Sequence, residues 1–152
     1  MKALTICQPY ASLILRGDKR VENRTWPTSY RGPMYIHAGK SREWFDEDAD
    51  LIDEFGCMPP FGAVIGIADL IDCIREDEIA MGDFDQKYPW IRAHEHVSGP
   101  WCWVLDNVVP IGPWPYRGAQ RLFEINDLDE AVYKLDPKRG PDYCSTSDRG
   151  AE

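Results

Sequence analysis

The chain lacks several features that would assign it directly to a functional class. No run approaches the ~18 consecutive apolar residues that a membrane span needs. There is no Cys-x-x-Cys pair, no glycine-rich loop of the kind that cradles phosphates and no Ser-His-Asp order of a hydrolase. Positive charge is also scarce, because 26 acidic residues outnumber 17 Lys and Arg and give a net charge of −9. A membrane span, a zinc ribbon and a general polyanion-coating protein are therefore not expected.

Cysteine and histidine are too sparse to indicate a metal centre or a disulfide framework. The five cysteines are odd in number and widely scattered, which fits a reduced cytoplasmic chain in which most of them are small buried hydrophobes. His94 and His96, with Glu95 between them, suggest a metal site, but no third ligand matches them elsewhere in the sequence. An exposed loop accounts for the pair more simply. We therefore expect no metal and no cofactor.

What the chain does have is a strongly uneven distribution of charge. Residues 1–42 carry eight Lys or Arg against two acidic residues. Residues 43–85 carry fourteen acidic residues against the single base Arg75, and residues 86–152 are nearly balanced. This asymmetry permits a local site for an anionic partner in the N-terminal third, although the whole chain is acidic. Tight non-specific DNA binding is not expected at physiological salt.

Hydrophobic periodicity predicts a mixed order of short helices and strands. Residues 2–7 are typical of a strand, and a helix follows that begins near Pro9 and ends at Gly17 in a left-handed turn. Over residues 20–26 the period changes to two, so Glu22 and Arg24 share one face of a strand. Further strands are predicted at 34–38, 62–73, 101–109 and 121–125, and helices at 43–55 and 127–135.

This order predicts one small α+β domain. The nearly continuous apolar strand at 62–73 suits the centre of a sheet that is covered on both faces. We predict a small mixed β-barrel flanked by helices over residues 1–136. Residues 137–152 have little apolar content and are predicted to be a flexible tail.

The N-terminal third holds the side chains that a nucleotide-like ligand requires. Lysine offers a point charge and arginine a fork, an acidic acceptor lies among them, and amides offer both donors and acceptors to a nucleobase edge. Aromatic side chains are candidates for stacking on a base. The candidate ligand-binding residues are Gln8, Tyr10, Lys19, Glu22, Asn23, Arg24, Trp26, Arg31, His37 and Lys40.

These residues also have a purely structural interpretation. Glu22 and Arg24, two apart on one strand face, can equally form a structural ion pair. Trp26 is a large apolar residue in a strand, where core packing is common. His37 on an apolar strand is more often a hydrogen-bonded core histidine than a catalyst, and Gln8 can simply satisfy the start of a helix.

Several segments of this third form a specific pattern, of which the block Gly17-x-Lys19-x-x-Glu22-x-Arg24 is the diagnostic part. The other segments are QPYASL at 8–13, RG at 31–32, IHA at 36–38 and GAVIGIADLIDC at 62–73. Together they resemble an ASCH domain, named for homology to the activating signal cointegrator, over roughly residues 2–125. The resemblance implies a PUA-like fold, related to domains that bind RNA or modified bases.

The same resemblance implies binding of RNA, single-stranded nucleic acid or a modified nucleotide in a cleft lined by this block. A small hydrolase, either a ribonuclease or a modified-nucleoside amidohydrolase, is the alternative, with Lys19 and Glu22 as its catalytic residues. The amidohydrolases of the family use a threonine three residues after the lysine. Glu22 takes that position here, and an acyl intermediate on a carboxylate would be an anhydride. A third alternative is a coactivator-like protein-interaction module with the acidic segment 43–85 as its surface.

Overall fold

Short helices alternate with strands along the chain in the computed structural model, which describes residues 1–46 and 55–128. None of the described helices is both long and apolar enough to cross a membrane. The elements are β1 (Lys2–Ile6), α1 (Tyr10–Arg16), β2 (Val21–Arg24), β3 (Gly32–Ala38), α2 (Glu43–Asp46), β4 (Ala63–Arg75), α3 (Glu76–Met81), a 3₁₀ helix (Ile91–Ala93), β5 (Trp101–Pro115) and β6 (Leu122–Glu124).

The strands form one mixed sheet in the order β2-β5-β4-β3-β1-β6. β1 and β3 run parallel, and the other neighbouring pairs are antiparallel. β4 lies between β3 and β5, and most side chains in its first half are buried, as predicted for a strand covered on both faces. This arrangement confirms the predicted class, an α+β fold with a small mixed barrel-like sheet flanked by helices.

Helix α1 has both of the ends that the sequence predicts. Pro9 precedes its first residue, and Gly17 ends it in the left-handed conformation, with φ of 86°. The helix packs on the sheet at Gly66 of β4, where an added Cβ would lie 2.2 Å from Leu15 Cδ2 and 3.2 Å from the Val109 carbonyl oxygen. A larger residue at this position would displace the Leu15 side chain and crowd the Val109 carbonyl oxygen, so glycine permits the close packing of α1 on β4.

The apolar core lies on both faces of the sheet. The largest cluster combines residues of α1, such as Ile14, with Trp103 of β5, and smaller clusters surround Ile74 and Tyr35. Trp103 is fully buried and meets the ring of Trp26 edge-on, with ring centroids 4.6 Å apart. Its Nε1 also donates to the Trp26 carbonyl oxygen at 3.3 Å. Trp26 therefore packs against the core with part of its ring, as its structural interpretation predicts.

Three regions differ from the sequence prediction or lie beyond the described chain. The proline and glycine residues at 110–115 predict a loop between two strands, but β5 continues to Pro115. The pairing of β5 with β4 shifts register at several points, and these irregularities accommodate residues that a regular ladder of hydrogen bonds excludes. Neither α3 nor the 3₁₀ helix is predicted from the sequence. The predicted helix at 43–55 is described only at its two ends, and residues 129–152 lie outside the described residues.

The cysteines differ in state. Cys7, Cys73 and Cys102 are free thiols, whereas Cys57 is disulfide-bonded. The disulfide corrects the expectation of a fully reduced chain. Cysteine spacing alone does not reveal which thiols the fold brings together, so the sequence has no signal for this bond.

Candidate functional site

The centre of the site is a carboxylate held between two cations. Glu22 Oε2 lies 3.1 Å from Lys19 Nζ, and Glu22 Oε1 lies 3.0 Å from Arg24 Nη2. Lys19 also donates to the Val21 carbonyl oxygen. The side chains of Lys19 and Glu22 are only 3% and 10% exposed, and that of Arg24 is 23% exposed. One net positive charge is therefore kept at the edge of a largely water-excluded cluster.

The local sequence explains why these three side chains meet. After the left-handed turn at Gly17, the Lys19 backbone N–H returns to the Leu13 carbonyl oxygen at 3.1 Å and places the lysine beneath β2. The alternation of β2 then puts Glu22 and Arg24 on one face, two residues apart. Arg24 Nη2 also donates to the Thr5 carbonyl oxygen at 2.8 Å, which joins this face to β1.

A cavity of about 430 Å³ lies over this cluster, a volume within the range of small-molecule sites. Its walls come from β1, the start of α1, β2, α2 and the loop that precedes β5. We call it the Lys19 cavity. It is lined by Thr5, Ile6, Cys7, Tyr10, Lys19, Glu22, Asn23, Arg24, Trp44, Glu95, His96 and Ser98.

Asn23 clamps the loop that forms one wall. Its Nδ2 donates to the His96 carbonyl oxygen at 2.6 Å and to Ser98 Oγ at 3.2 Å, and its Oδ1 accepts from the Ser98 backbone N–H at 3.2 Å. Gly99 lies so close that an added Cβ would be 2.5 Å from Asn23 Cβ. The amide atoms of Asn23 are engaged within the protein, so its role here is to position the wall.

His96 brings a neutral imidazole to the cavity. Burial lowers the pKa of His96 below its ordinary value near 6.5, and the nearby Lys19 ammonium lowers it further. Its ring meets Tyr10 edge-on at a centroid distance of 6.3 Å. The neighbouring His94 accepts the Arg20 backbone N–H at Nε2 over 3.0 Å, and burial lowers its pKa as well. Neither histidine carries appreciable charge at neutral pH.

Trp44 is the exposed aromatic side chain of the Lys19 cavity. It lies on α2 and is 51% exposed, which is unusual for a tryptophan. No ring contact to another described residue engages its indole. A wide, flat and accessible ring beside buried cations is suited to stacking on a planar ligand.

The chemical groups of the cavity do not include an activated thiol or a metal centre. Cys7 lines the wall, but burial raises the pKa of its thiol, so it remains a weak nucleophile at neutral pH. In the described ranges, 1–46 and 55–128, no group of three or more His, Cys, Asp or Glu residues is arranged to hold a metal ion.

The structure brings five of the ten predicted ligand-binding residues together in the Lys19 cavity, namely Tyr10, Lys19, Glu22, Asn23 and Arg24. Trp26, His37 and Lys40 line adjoining cavities. Gln8 is fully buried, with its amide bonded to the Pro60 carbonyl oxygen and the Ser12 backbone N–H. Arg31 is exposed, pairs with Asp72 and does not line the Lys19 cavity.

The sequence prediction misses several lining residues, and the reasons differ. His96, Glu95 and Ser98 arrive from a distant loop, and only the His-x-His pattern marks that loop at all. Trp44 lies in the helix predicted at 43–55, and helical periodicity alone does not show that it faces the cavity. Thr5 lies in a predicted strand, and nothing in its neighbourhood distinguishes it.

Comparison with known proteins identifies the class of protein to which this fold and cavity belong. The ASCH domain model matches residues 4–114, and the chain therefore belongs to the ASCH family, which is associated with RNA binding. The resemblance inferred from the sequence is confirmed.

Among curated proteins, the chain is similar to activating signal cointegrator 1 of Mus musculus, 35% identical over 134 residues, and to that of Homo sapiens, 28% identical over 134 residues. Each match covers 81% of this chain but 22% of the relative, so the chain spans about a fifth of their length. A solved structure, ASCH from Zymomonas mobilis, is 15% identical, with a TM-score of 0.42, and the match covers 91% of this chain and 83% of that one.

The ion pair of Lys19 and Glu22 is expected to stabilise the fold. Glu22→Gln leaves the Lys19 ammonium buried without a carboxylate, which typically costs about 3–5 kcal/mol of unfolding free energy. In the double variant with Lys19→Met the loss should be smaller than the sum of the single losses, as measured by urea denaturation. Asp77→Asn, in the exposed pair with Arg75, is the control. A Glu22→Gln loss no larger than that of the control would contradict the expectation.

The buried histidines are expected to make stability depend on pH. Burial lowers the pKa of His37, which is 1% exposed, from its ordinary value near 6.5. The unfolded chain therefore binds the proton more readily, and unfolding free energy should fall as pH drops below about 6.5 toward the folded-state pKa. His37→Gln keeps a donor for Tyr116 but does not titrate, so its thermal midpoint should fall less over that window. Equal pH slopes in parent and variant would exclude this contribution.

Proposed function

We propose that this protein binds single-stranded RNA or a modified nucleotide, with one base in the Lys19 cavity. The observation that carries the proposal is the combination of a buried cation cluster with the exposed indole of Trp44 in a single cavity. Cations beside a flat apolar ring match a ligand that has both an anionic backbone and a planar base. The association of the ASCH family with RNA binding supports the same conclusion.

Each group has a role in this proposal. Trp44 stacks on the base, and Arg24 supplies the positive charge nearest to solvent. Glu22 accepts from an amino group of the base while it holds both cations in place. His96 and Tyr10 form the wall that excludes water from the other side. Lys19 is too buried to meet a phosphate directly, so it acts through its charge.

Trp44 provides the test of binding. Trp44→Ala should weaken binding of a labelled single-stranded RNA by about 1–3 kcal/mol, roughly 5- to 150-fold, as measured by fluorescence anisotropy at low salt. Met81→Ala is the control, because Met81 is a large exposed apolar side chain that does not line the cavity. Binding by the parent should also weaken as salt rises. Equal affinities of Trp44→Ala and Met81→Ala would remove the stacking role.

A hydrolase acting on RNA or on an N-acylated cytidine is the second candidate. It is favoured by the 3.1 Å contact between Lys19 Nζ and Glu22 Oε2 in a cavity, which is the distance of a proton-transfer pair. The carboxylate at the position of the family's threonine counts against the amidohydrolase version of this chemistry. We therefore place binding before hydrolysis.

Lys19→Arg separates the two candidates. Arginine preserves the charge but does not exchange a proton near neutral pH, so a binding protein should retain its RNA affinity to within a few-fold. A hydrolase that uses Lys19 as acid or base should lose most of its turnover. Product formation from RNA or acetylated cytidine is followed by chromatography for the parent and the variant. If the parent forms product and Lys19→Arg does not, while the variant still binds RNA, hydrolysis becomes the preferred function.

The proposal includes a cytoplasmic location and a domain that extends to residue 136. Free thiols at Cys7, Cys73 and Cys102 support a reducing compartment, and the disulfide of Cys57 counts against one. Thiol labelling of the protein in intact cells distinguishes these environments.

A further inference from the structure

The Lys19 cavity adjoins two further cavities across β1. A cavity of about 340 Å³ at Trp26 shares Thr5 and Arg24 with it, and a cavity of about 720 Å³ at His37 also shares Thr5. The Trp26 and His37 cavities share Gln120 with each other. Thr5 lines all three cavities, and we call the three together the groove.

Three exposed cations line the groove beyond the Lys19 cavity. Lys40 and Arg117 belong to the His37 cavity, and Arg121 belongs to the Trp26 cavity. Arg121 extends over the Trp26 ring, 5.6 Å from its centroid. Considering only the parts of the chain that the structure describes, none of the three is ion-paired. By contrast, Arg75, Lys87 and Arg92, which are exposed elsewhere on the surface, each pair with an aspartate.

The segment that carries Arg117 is anchored on its N-terminal side. The Tyr116 backbone N–H donates to the Gly62 carbonyl oxygen at 3.1 Å, and the Tyr116 carbonyl oxygen accepts from His37 Nε2 at 2.9 Å. Since a carbonyl only accepts, the neutral His37 carries its proton on Nε2, and its Nδ1 accepts from Thr5 Oγ1 at 3.1 Å. This chain of bonds ties the segment to the floor of the groove.

The other side of Arg117 is anchored by packing. An added Cβ on Gly118 would lie 2.5 Å from His37 Cε1 and 2.7 Å from Thr5 Oγ1, so the backbone presses directly on those side chains. The Lys40 side chain runs over Gly62, where an added Cβ would lie 3.0 Å from its Cγ and Cε. Its backbone follows Gly39, whose N–H donates to the Ile6 carbonyl oxygen at 2.9 Å, so both cations extend from anchored backbone.

We propose that the groove binds the phosphates next to the nucleotide in the Lys19 cavity, and that the ligand is a single strand of nucleic acid. This inference rests on the proposed function and selects an oligonucleotide over a free modified nucleotide. A mononucleotide has one phosphate group to place against Lys40, Arg117 and Arg121. A strand supplies a phosphate beside each base, and unpaired cations on a fixed backbone neutralise such phosphates with release of counterions.

The test compares two triple variants that remove equal charge. The groove variant is Lys40→Gln, Arg117→Gln and Arg121→Gln, and the control variant is Arg75→Gln, Lys87→Gln and Arg92→Gln. Each is titrated with a nucleoside monophosphate and with a single-stranded RNA of about eight nucleotides, a length within the range of single-domain sites. The titrations are repeated at several salt concentrations. Circular dichroism verifies that both variants are folded.

The parent and the control variant should bind the octamer more tightly than the monophosphate. In the groove variant, the ratio of octamer affinity to monophosphate affinity should fall by at least about tenfold. The slope of log affinity against log salt should also become shallower by about 0.7 for each lost phosphate contact. Equal losses in the two variants, or no advantage of the octamer in the parent, would overturn the groove while the proposed function stands. Failure of the parent to bind either probe would overturn the proposed function and the groove together.

Discussion

Glu22 lies between Lys19 and Arg24, and the other features of the site depend on this one arrangement. An ammonium group as deeply buried as that of Lys19 requires a carboxylate partner, because desolvation is not otherwise offset. The same carboxylate fixes the guanidinium of Arg24, which in turn bonds to β1 through Thr5. The ion-pair network is therefore structural and also sets the charge of the cavity. Glu22 and Arg24 can therefore form a structural ion pair and line a ligand site at the same time.

The proposed function combines an acidic protein with an acidic ligand, so the attraction must be restricted to one place. The net charge of −9 repels polyanions from most of the surface, while Lys40, Arg117 and Arg121 have no carboxylate partner among the described residues. Outside the groove, Arg75, Lys87 and Arg92 are neutralised by neighbouring aspartates. The sign of the local field thus changes between the groove and the remaining surface. Such a pattern favours orientation of a strand over indiscriminate adsorption.

Local patterns predict the parts of the site that lie close together in the sequence. The glycine that ends α1 and the alternation of β2 are sufficient to place Lys19, Glu22 and Arg24 side by side. The wall formed by His96 is not predictable in this way, since its position depends on hydrogen bonds to a residue more than seventy positions away. The end of β5 is missed for a similar reason. Its proline and glycine residues conflict with local strand preference, and the register shifts against β4 resolve the conflict.

Because Asn23 holds the loop at 96–98, the charge of the cavity and the shape of one of its walls come from different parts of the chain. Charge comes from β2 and the segment before it, whereas the shape of one wall comes from a loop that Asn23 holds by the His96 carbonyl oxygen and by Ser98. The His96 side chain takes no part in the clamp or in the ion pairs of Glu22, whereas Val97 packs against the apolar cluster around Ile74. Under the proposed function, a change at position 96 alters which base the cavity accepts while the cations keep their attraction for the strand, so recognition and adhesion can evolve independently.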